Sequence, residues 1–244
     1  MSLDGSSVLV TGGTRGIGLA IAHRLVRDGA GRVVLGYLRN DTAAESAAAE
    51  LGKAGVTVDL VRGNVATERT IAKLAAGGPY RVVVHNAATG VVRPALETED
   101  KHWDWTLNAN ARSLLALARA TAPAMEPGSA IVAISSLGAQ RVLDNYILIG
   151  TSKAALESVV RYLGVELAPR GVRVNAVSAS VVDTEALAFF PNKDEMLATV
   201  DRTPAGRLVE PADVASAVSF LCSGDAAMVC GQTLVVDGGF SLRA

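Results

Sequence analysis

The chain has 244 residues, half of them apolar, and a formal net charge of −1. That length holds one large α/β domain or two small ones, with ample apolar material for a core. The balanced charge offers no basic face for nucleic acid or an anionic membrane surface, and two cysteines outside a CxxC spacing with three histidines leave no disulfide framework and no metal site.

Short β-branched runs recur along the chain at Ser7–Thr11, Arg32–Tyr37, Val56–Arg62, Arg81–His85, Ala130–Ser135, Val172–Val177 and Thr233–Asp237. Helical stretches separate most of them: Gly16–Asp28, Thr42–Ala54, Glu68–Ala76, Asp100–Met125, Tyr146–Ala168 and Pro211–Cys222. Strand–helix alternation predicts βαβ units, hence an α/β fold with a doubly wound parallel sheet of about seven strands and helices on both faces. The inner runs "VLV", "RVVVHN" and "AIVAIS" are nearly continuous in apolar residues, as strands covered on both faces require. No linker or low-complexity segment divides residues 1–244, so one domain is expected. The opening "MSLDGSSVLV" lacks a basic region followed by an apolar one, and no apolar run approaches the ~20 residues of a membrane span. A cytoplasmic chain with reduced thiols is the expectation.

Residues 179–205 interrupt the rhythm between the sixth strand and the last helix. A connection that long is usually a lid or a binding loop. Its "EALAFFPNKDEMLATV" carries apolar Leu187, Phe189, Phe190 and Met196, read as a cover over an apolar substrate; a plain packing helix is the alternative.

The segment "VLVTGGTRGIGLAIAHRL" follows the first strand and opens a helix. Gly12, Gly16 and Gly18 permit a tight turn and close approach of the backbone to a pyrophosphate, which the helix N-terminus then attracts. Strand two ends "LGYLRND", with Tyr37 where an acid would hold an unphosphorylated adenosine ribose; the first acid is Asp41. Arg15 in the turn and Arg39 after the strand instead suit a 2′-phosphate, because guanidinium is a permanent, bidentate donor. The cofactor expected is NADPH.

At this point the chain resembles the short-chain dehydrogenase/reductase family over nearly its whole length. The resemblance rests on "TGGTRGIG" (with Thr14, Arg15 and Ile17), "NV" (Asn64–Val65), "HNAA" (His85–Ala88, with Asn86 and Ala87), "NANARSLL" with Asn110, "ISS" ending at Ser136, Lys153, and "GQTLVVDGG", in order and at family spacings. It implies a Rossmann-type sheet, nicotinamide chemistry and a homotetramer. The family's active site is Ser, Tyr-x3-Lys and Asn. Here the residue four before Lys153 is Ile149, and the tyrosine is Tyr146, seven before. On a helix, steps of four and seven turn about 400° and about 700°, so both positions share the lysine's face, with the phenol about 4.5 Å further along the axis.

Tyr-x6-Lys is the pattern of enoyl-acyl-carrier-protein reductases, and the chain resembles the enoyl reductase III (FabL) branch. The supporting stretches are "HWDWTLNAN", "ISSLGAQRVLDNY", "AVSASVVDTEAL" and "DRTPAGRLVE". The resemblance implies reduction of an enoyl thioester, with Tyr146 stabilising the enolate oxygen and Lys153 holding the nicotinamide ribose and lowering the tyrosine pKa. Ser136 is a second donor or a strand-end cap. Asn110 ties the helix to the lysine, Asn64 and Asn86 line the adenosine side, and Val182 and Thr184 approach the nicotinamide amide and pyrophosphate. Trp103–Trp105 is read as packing or subunit contact. A ketoreductase of the same fold, and an idle NADPH binder, remain alternatives. The thioester carrier, acyl carrier protein or coenzyme A, and the pathway, fatty-acid or polyketide, stay open. Arg93, Arg112, Arg141 and Arg202 are candidates for a basic rim facing a carrier protein.

Overall fold

In a computed structural model, which describes residues 3–182, 184 and 193–243, each apolar run becomes a strand of one parallel sheet. The strands are β1 (Ser7–Thr11), β2 (Arg32–Tyr37), β3 (Thr57–Arg62), β4 (Val82–His85), β5 (Ala130–Ser136), β6 (Arg173–Ala179) and β7 (Thr233–Val236). Their order is β3-β2-β1-β4-β5-β6-β7, so the winding direction reverses between β1 and β4. In such sheets ligands bind at that switch point, beyond the carboxyl ends of the strands.

The alternation of side chains along each strand accounts for the two layers of core. Val8, Val10, Val33, Leu35, Val82 and Val84 face one way and pack with Ile21 and Leu25 of α1 (Gly16–Arg27), Leu51 of α2 (Asp41–Gly52), and Val214, Val218 and Leu221 of the last helix, Pro211–Cys222. Leu9, Val34, Val83, Ile131 and Val174 face the other way. They pack with Ile71 and Leu74 of α3 (Glu68–Ala75), with Leu114 and Leu117, and with Leu156 and Val160 of the long helix Ile147–Leu167. Arg173, buried at the start of β6, donates to the backbone carbonyls of Leu221, Ser223 and Ala226 and so ties the end of the last helix to the sheet.

The helix expected at Asp100–Met125 is broken. It runs as α4 (Asp100–Leu107), a π-turn at Asn108–Arg112, and α5 (Ser113–Thr121), before a short 3-10 turn containing Pro123. π-turns inside helices accompany functional sites, and this one carries Asn110. The remaining helices are α6 (Ile147–Leu167), α7 (Lys193–Leu197) and α8 (Pro211–Cys222). The tyrosine expected inside α6 is its N-cap residue instead. Of the region 179–205, Leu187, Phe189 and Phe190 lie outside the described residues; Met196 sits half-buried on α7.

Candidate active site

A cleft of about 750 Å³ opens at the carboxyl ends of β1, β2, β4 and β5. Its walls include Gly12, Thr14, Arg15, Gly16, Ile17 and Gly18 from the first turn, Tyr37 and Arg39 after β2, and Asn64 and Val65 after β3. Asn86, Ala87 and Ala88 follow from β4, and Thr184, Tyr146 and Lys153 also line it, whereas Ser136, Asn110 and Val182 do not. Residues scattered over the sequence thus meet because every strand ends at the same edge.

The glycine turn is built for close approach. A side chain at Gly18 would collide with the Gly12 carbonyl oxygen and come within 2.6 Å of Asn86 Nδ2. Asn86 braces the turn rather than only lining it: Nδ2 donates to the carbonyls of Thr11 and Gly12, each at 3.0 Å. Thr11, which opens "TGGTRGIG" but was given no role of its own, locks β1 to β4 by accepting from the backbone N–H groups of Asn86 and Ala87 at 3.0 Å. Its signal was its place at the strand's last position before the glycines.

At the other rim, both oxygens of Asp41 are occupied. Tyr37 Oη donates to one at 2.9 Å and Arg62 to the other at 3.0 Å. The first acid after β2 is therefore held by its own neighbours, while Arg15 and Arg39 stand exposed at the cleft wall. A ribose carrying a 2′-phosphate fits this edge better than a bare diol. Val182 departs from expectation: its side chain is buried in the core and its backbone bridges to Val209, outside the cleft wall. Trp105, read from sequence as packing, does line the cleft.

The chemistry-bearing side chains meet at the ends of β5 and α6. Lys153 is buried and its ammonium donates to the Ile134 carbonyl at 2.7 Å. Burial pulls its pKa down to about 8, partly offset by the Glu157 carboxylate one turn further along α6. Glu157 is itself buried and accepts from Ser135 Oγ at 2.7 Å and Gln140 Nε2 at 3.0 Å. His85, fully buried, meets Ser113 Oγ at 2.7 Å; burial, then the charge of Lys153, push its pKa down to about 3, so it is a neutral imidazole.

Tyr146 Oη lies 3.5 Å from Ser136 Oγ. Burial raises its pKa above the ordinary phenol value, and the Ser136 hydrogen bond pulls the other way. This corrects the expectation that Lys153 lowers it. The lysine is turned toward the Ile134 carbonyl, and desolvation of the phenol dominates. The group presented is a neutral phenol, a donor. Of the roles weighed for Ser136, the cap is seen: its Oγ accepts from Gly138 N–H at 3.3 Å, capping the short turn Leu137–Ala139.

Ile149 holds the position where Tyr-x3-Lys would place the phenol. It is buried, and its side chain fills the space over Gly90, where an added Cβ would collide with it. Asn110 is fully buried and does not reach the cleft wall. Its Oδ1 accepts from Thr89 N–H at 2.9 Å, and its Nδ2 donates to the Thr89 carbonyl at 2.8 Å and to Ser152 Oγ at 2.9 Å. It thereby ties the π-turn to the loop after β4 and to Ser152, the residue before Lys153 on α6. Of the four arginines considered for a rim, Arg141 donates to the Ser241 carbonyl at 3.1 Å and Arg202 lies 5.4 Å over the Phe240 ring, so these two converge. Arg93 N–H donates to the Asn145 carbonyl at 2.9 Å, beside Tyr146, whereas Arg112 points to Ala66 instead.

Comparison with known proteins assigns the family. The sequence profile of the family described as Enoyl-(Acyl carrier protein) reductase matches residues 12–241. A 1-cyclohexenylcarbonyl-CoA reductase of Streptomyces collinus is 36% identical over 97% of this chain and 87% of its own. An L-xylulose reductase of Mesocricetus auratus is 34% identical over 98% of each. Among solved structures, a short chain dehydrogenase from Burkholderia cenocepacia J2315 in complex with NADP superposes with a TM-score of 0.91 at 31% identity, covering 99% of this chain and 100% of that one. An L-sorbose reductase from Gluconobacter frateurii complexed with NADPH and L-sorbose gives 0.92 at 28%, covering 100% and 99%. The chain belongs to the short-chain dehydrogenase/reductase family of nicotinamide-dependent oxidoreductases.

Proposed function

We propose that this chain is an NADPH-dependent reductase of the carbon–carbon double bond of an enoyl thioester. One observation carries the reading: the phenol sits at the N-cap of α6, seven residues before Lys153, while the position four before it is packed shut by Ile149. A ketone takes its proton donor on the atom next to the carbon that is reduced. An enoyl thioester takes reduction at the β-carbon, and charge builds three bonds away on the thioester oxygen. A donor set back by about one helical turn suits the second case.

The glycine turn, Asn64 and Asn86, with Arg15 and Arg39 for the 2′-phosphate, are the residues that would hold NADPH. When bound, that cofactor supplies the hydride. As charge builds on the thioester oxygen, the Tyr146 O–H donates to it, a preorganised dipole in a site shielded from water. Its raised pKa keeps the proton in place at neutral pH. Lys153 presents its ammonium from the buried end of the cleft and would hold the nicotinamide ribose, with Ser136 and Asn110 keeping phenol and lysine in register.

The substrate is a small acyl thioester; the lid 179–205, with Leu187, Phe189, Phe190 and Met196, would cover its acyl chain. Arg141 and Arg202, with Arg93 near Tyr146, would make a basic rim for a phosphorylated carrier, acyl carrier protein or coenzyme A. Two exposed apolar faces support a homotetramer: Trp103, Tyr162 and Val165 on α4 and α6, and Phe220, Met228, Leu234 and Val235 around α8 and β7. Two distinct self-complementary patches generate a closed tetramer. The relative named as a CoA-thioester reductase favours the enoyl reading; the relatives named as sugar reductases favour the ketoreductase alternative.

The test is NADPH consumption with crotonyl and acetoacetyl thioesters side by side. Turnover of the enoyl substrate, reduced to a small residual rate in Tyr146→Phe, is expected. Turnover of the keto substrate alone contradicts the reading, and NADPH binding with no turnover of either favours an idle binder.

A further inference from the structure

We propose that Gly138 is a positioning residue that sets the depth of the Tyr146 phenol in the cleft, a role that rests on reading Tyr146 as the hydrogen-bond donor to the enolate oxygen. The ring of Tyr146 lies directly over this glycine. A Cβ built on Gly138 would stand 2.6 Å from both Cδ1 and Cε1 of the ring. Gly150, on the first turn of α6, closes the arrangement from below: a Cβ there would meet the Gly138 carbonyl oxygen at 2.7 Å and the ring at 3.7 Å. The ring therefore rests on backbone, with no side chain between.

That shelf is held firmly. Gly138 N–H donates to Ser136 Oγ at 3.3 Å, the same oxygen that faces the phenol. Leu137 beside it is buried. Two residues on, Gln140 is tied to the buried Glu157, which also grips Ser135 at the end of β5. On the far side, Asn145 takes a left-handed turn (φ 59°) that delivers Tyr146 onto the shelf, and its carbonyl is fixed by Arg93 N–H. Shelf and tyrosine are thus anchored separately, and the contact between them decides where the hydroxyl stands.

The smallest possible side chain changes that. Ordinary van der Waals contact begins near 3.4 Å, so a methyl at 138 must push the ring by about 0.8 Å (3.4 − 2.6). A displacement of about 1 Å in a catalytic group can cost on the order of 100-fold in rate.

The experiment is Gly138→Ala in two backgrounds, wild type and Tyr146→Phe. Phenylalanine keeps the ring, and so the collision, but has no hydroxyl to misplace. With crotonyl thioester, kcat is expected to fall roughly 10- to 100-fold in the wild-type background, with KM and NADPH affinity (read by fluorescence titration) within about two-fold. In the Tyr146→Phe background the same change leaves residual turnover within about two-fold. An equal loss in both backgrounds, or no loss in the first, overturns the proposal. If Tyr146→Phe itself turns over like wild type, the donor reading falls and the shelf with it; if Tyr146→Phe is inactive and Gly138→Ala is not, the shelf alone falls. Should Gly138→Ala fail to fold, it is combined with Tyr146→Ala, which removes the ring. Recovery of the melting temperature of Tyr146→Ala supports the contact, and continued unfolding overturns it.

Discussion

Replacing Lys153 by methionine separates what the buried ammonium does for chemistry from what it costs the fold. Its pKa lies near 8 in the folded chain against an ordinary 10.5. A lowered lysine pKa means that the unfolded chain binds more protons between those values. Stability therefore rises with pH across that window, and the penalty of holding the ammonium is fully present below pH 8. The full shift corresponds to about 3 kcal/mol at pH 7 at 1.36 kcal/mol per unit. Between pH 7 and pH 9.5 about 2 kcal/mol of it is relieved. His85, with its pKa near 3, adds no slope in this range. The substitution also leaves the Ile134 carbonyl without its donor, at about 1–3 kcal/mol, so the absolute effect at pH 7 is a small difference of two terms. The pH dependence is cleaner. Urea unfolding of the cofactor-free wild type at the two pH values should show about 2 kcal/mol more gain toward alkali than Lys153→Met, or about 4–8 °C in Tm. Parallel pH dependences in the two proteins would refute the claim that Lys153 is held charged at a desolvated site.

Three further outcomes follow from named contacts. Arg39→Ala should weaken NADPH binding roughly 10- to 100-fold through loss of charge-assisted hydrogen bonds, with NADH affinity little changed; equal losses for both cofactors would remove Arg39 from the 2′-phosphate site. Gly18→Ala collides with the Gly12 carbonyl and with Asn86, so NADPH titration should show affinity lost by more than about ten-fold while circular dichroism stays native. Arg173→Met leaves three backbone carbonyls at the end of α8 without their shared donor and should lower unfolding free energy by about 3 kcal/mol in urea titration, with no direct effect on the cleft.

The sheet and most helices were legible because strands covered on both faces write continuous apolar runs, and because each glycine or capping residue punctuates them. The last helix, Pro211–Cys222, was found to the residue, with a proline at its first position and an acid two residues on to cap it. The break in Asp100–Met125 was not legible: Asn110 has ordinary helix propensity, and only its hydrogen bonds to Thr89 and Ser152 reveal why an extra residue is accommodated there. The same limit applies to charge. A lysine seven residues from a tyrosine invites the idea that one tunes the other, but desolvation, which no spacing encodes, decides the phenol's pKa. The glycine turn, Arg39 and Thr184 came together at the cleft as read, since their motifs are local. The role of Thr11 was missed because it works through Asn86 and Ala87, distant in sequence, and Trp105, read as packing, lines the cleft.

The most direct test of the central claim is where the hydride ends. With NADPH deuterated at the nicotinamide C4 and crotonyl-CoA as substrate, mass spectrometry and NMR of the product locate the label. Deuterium on the β-carbon of butyryl-CoA, formed by the wild type and far more slowly by Tyr146→Phe, is the predicted result. No labelled butyryl-CoA, with deuterium instead on the carbinol carbon of a product from acetoacetyl-CoA, would mean that Tyr146 serves a carbonyl and that the seven-residue spacing has another purpose.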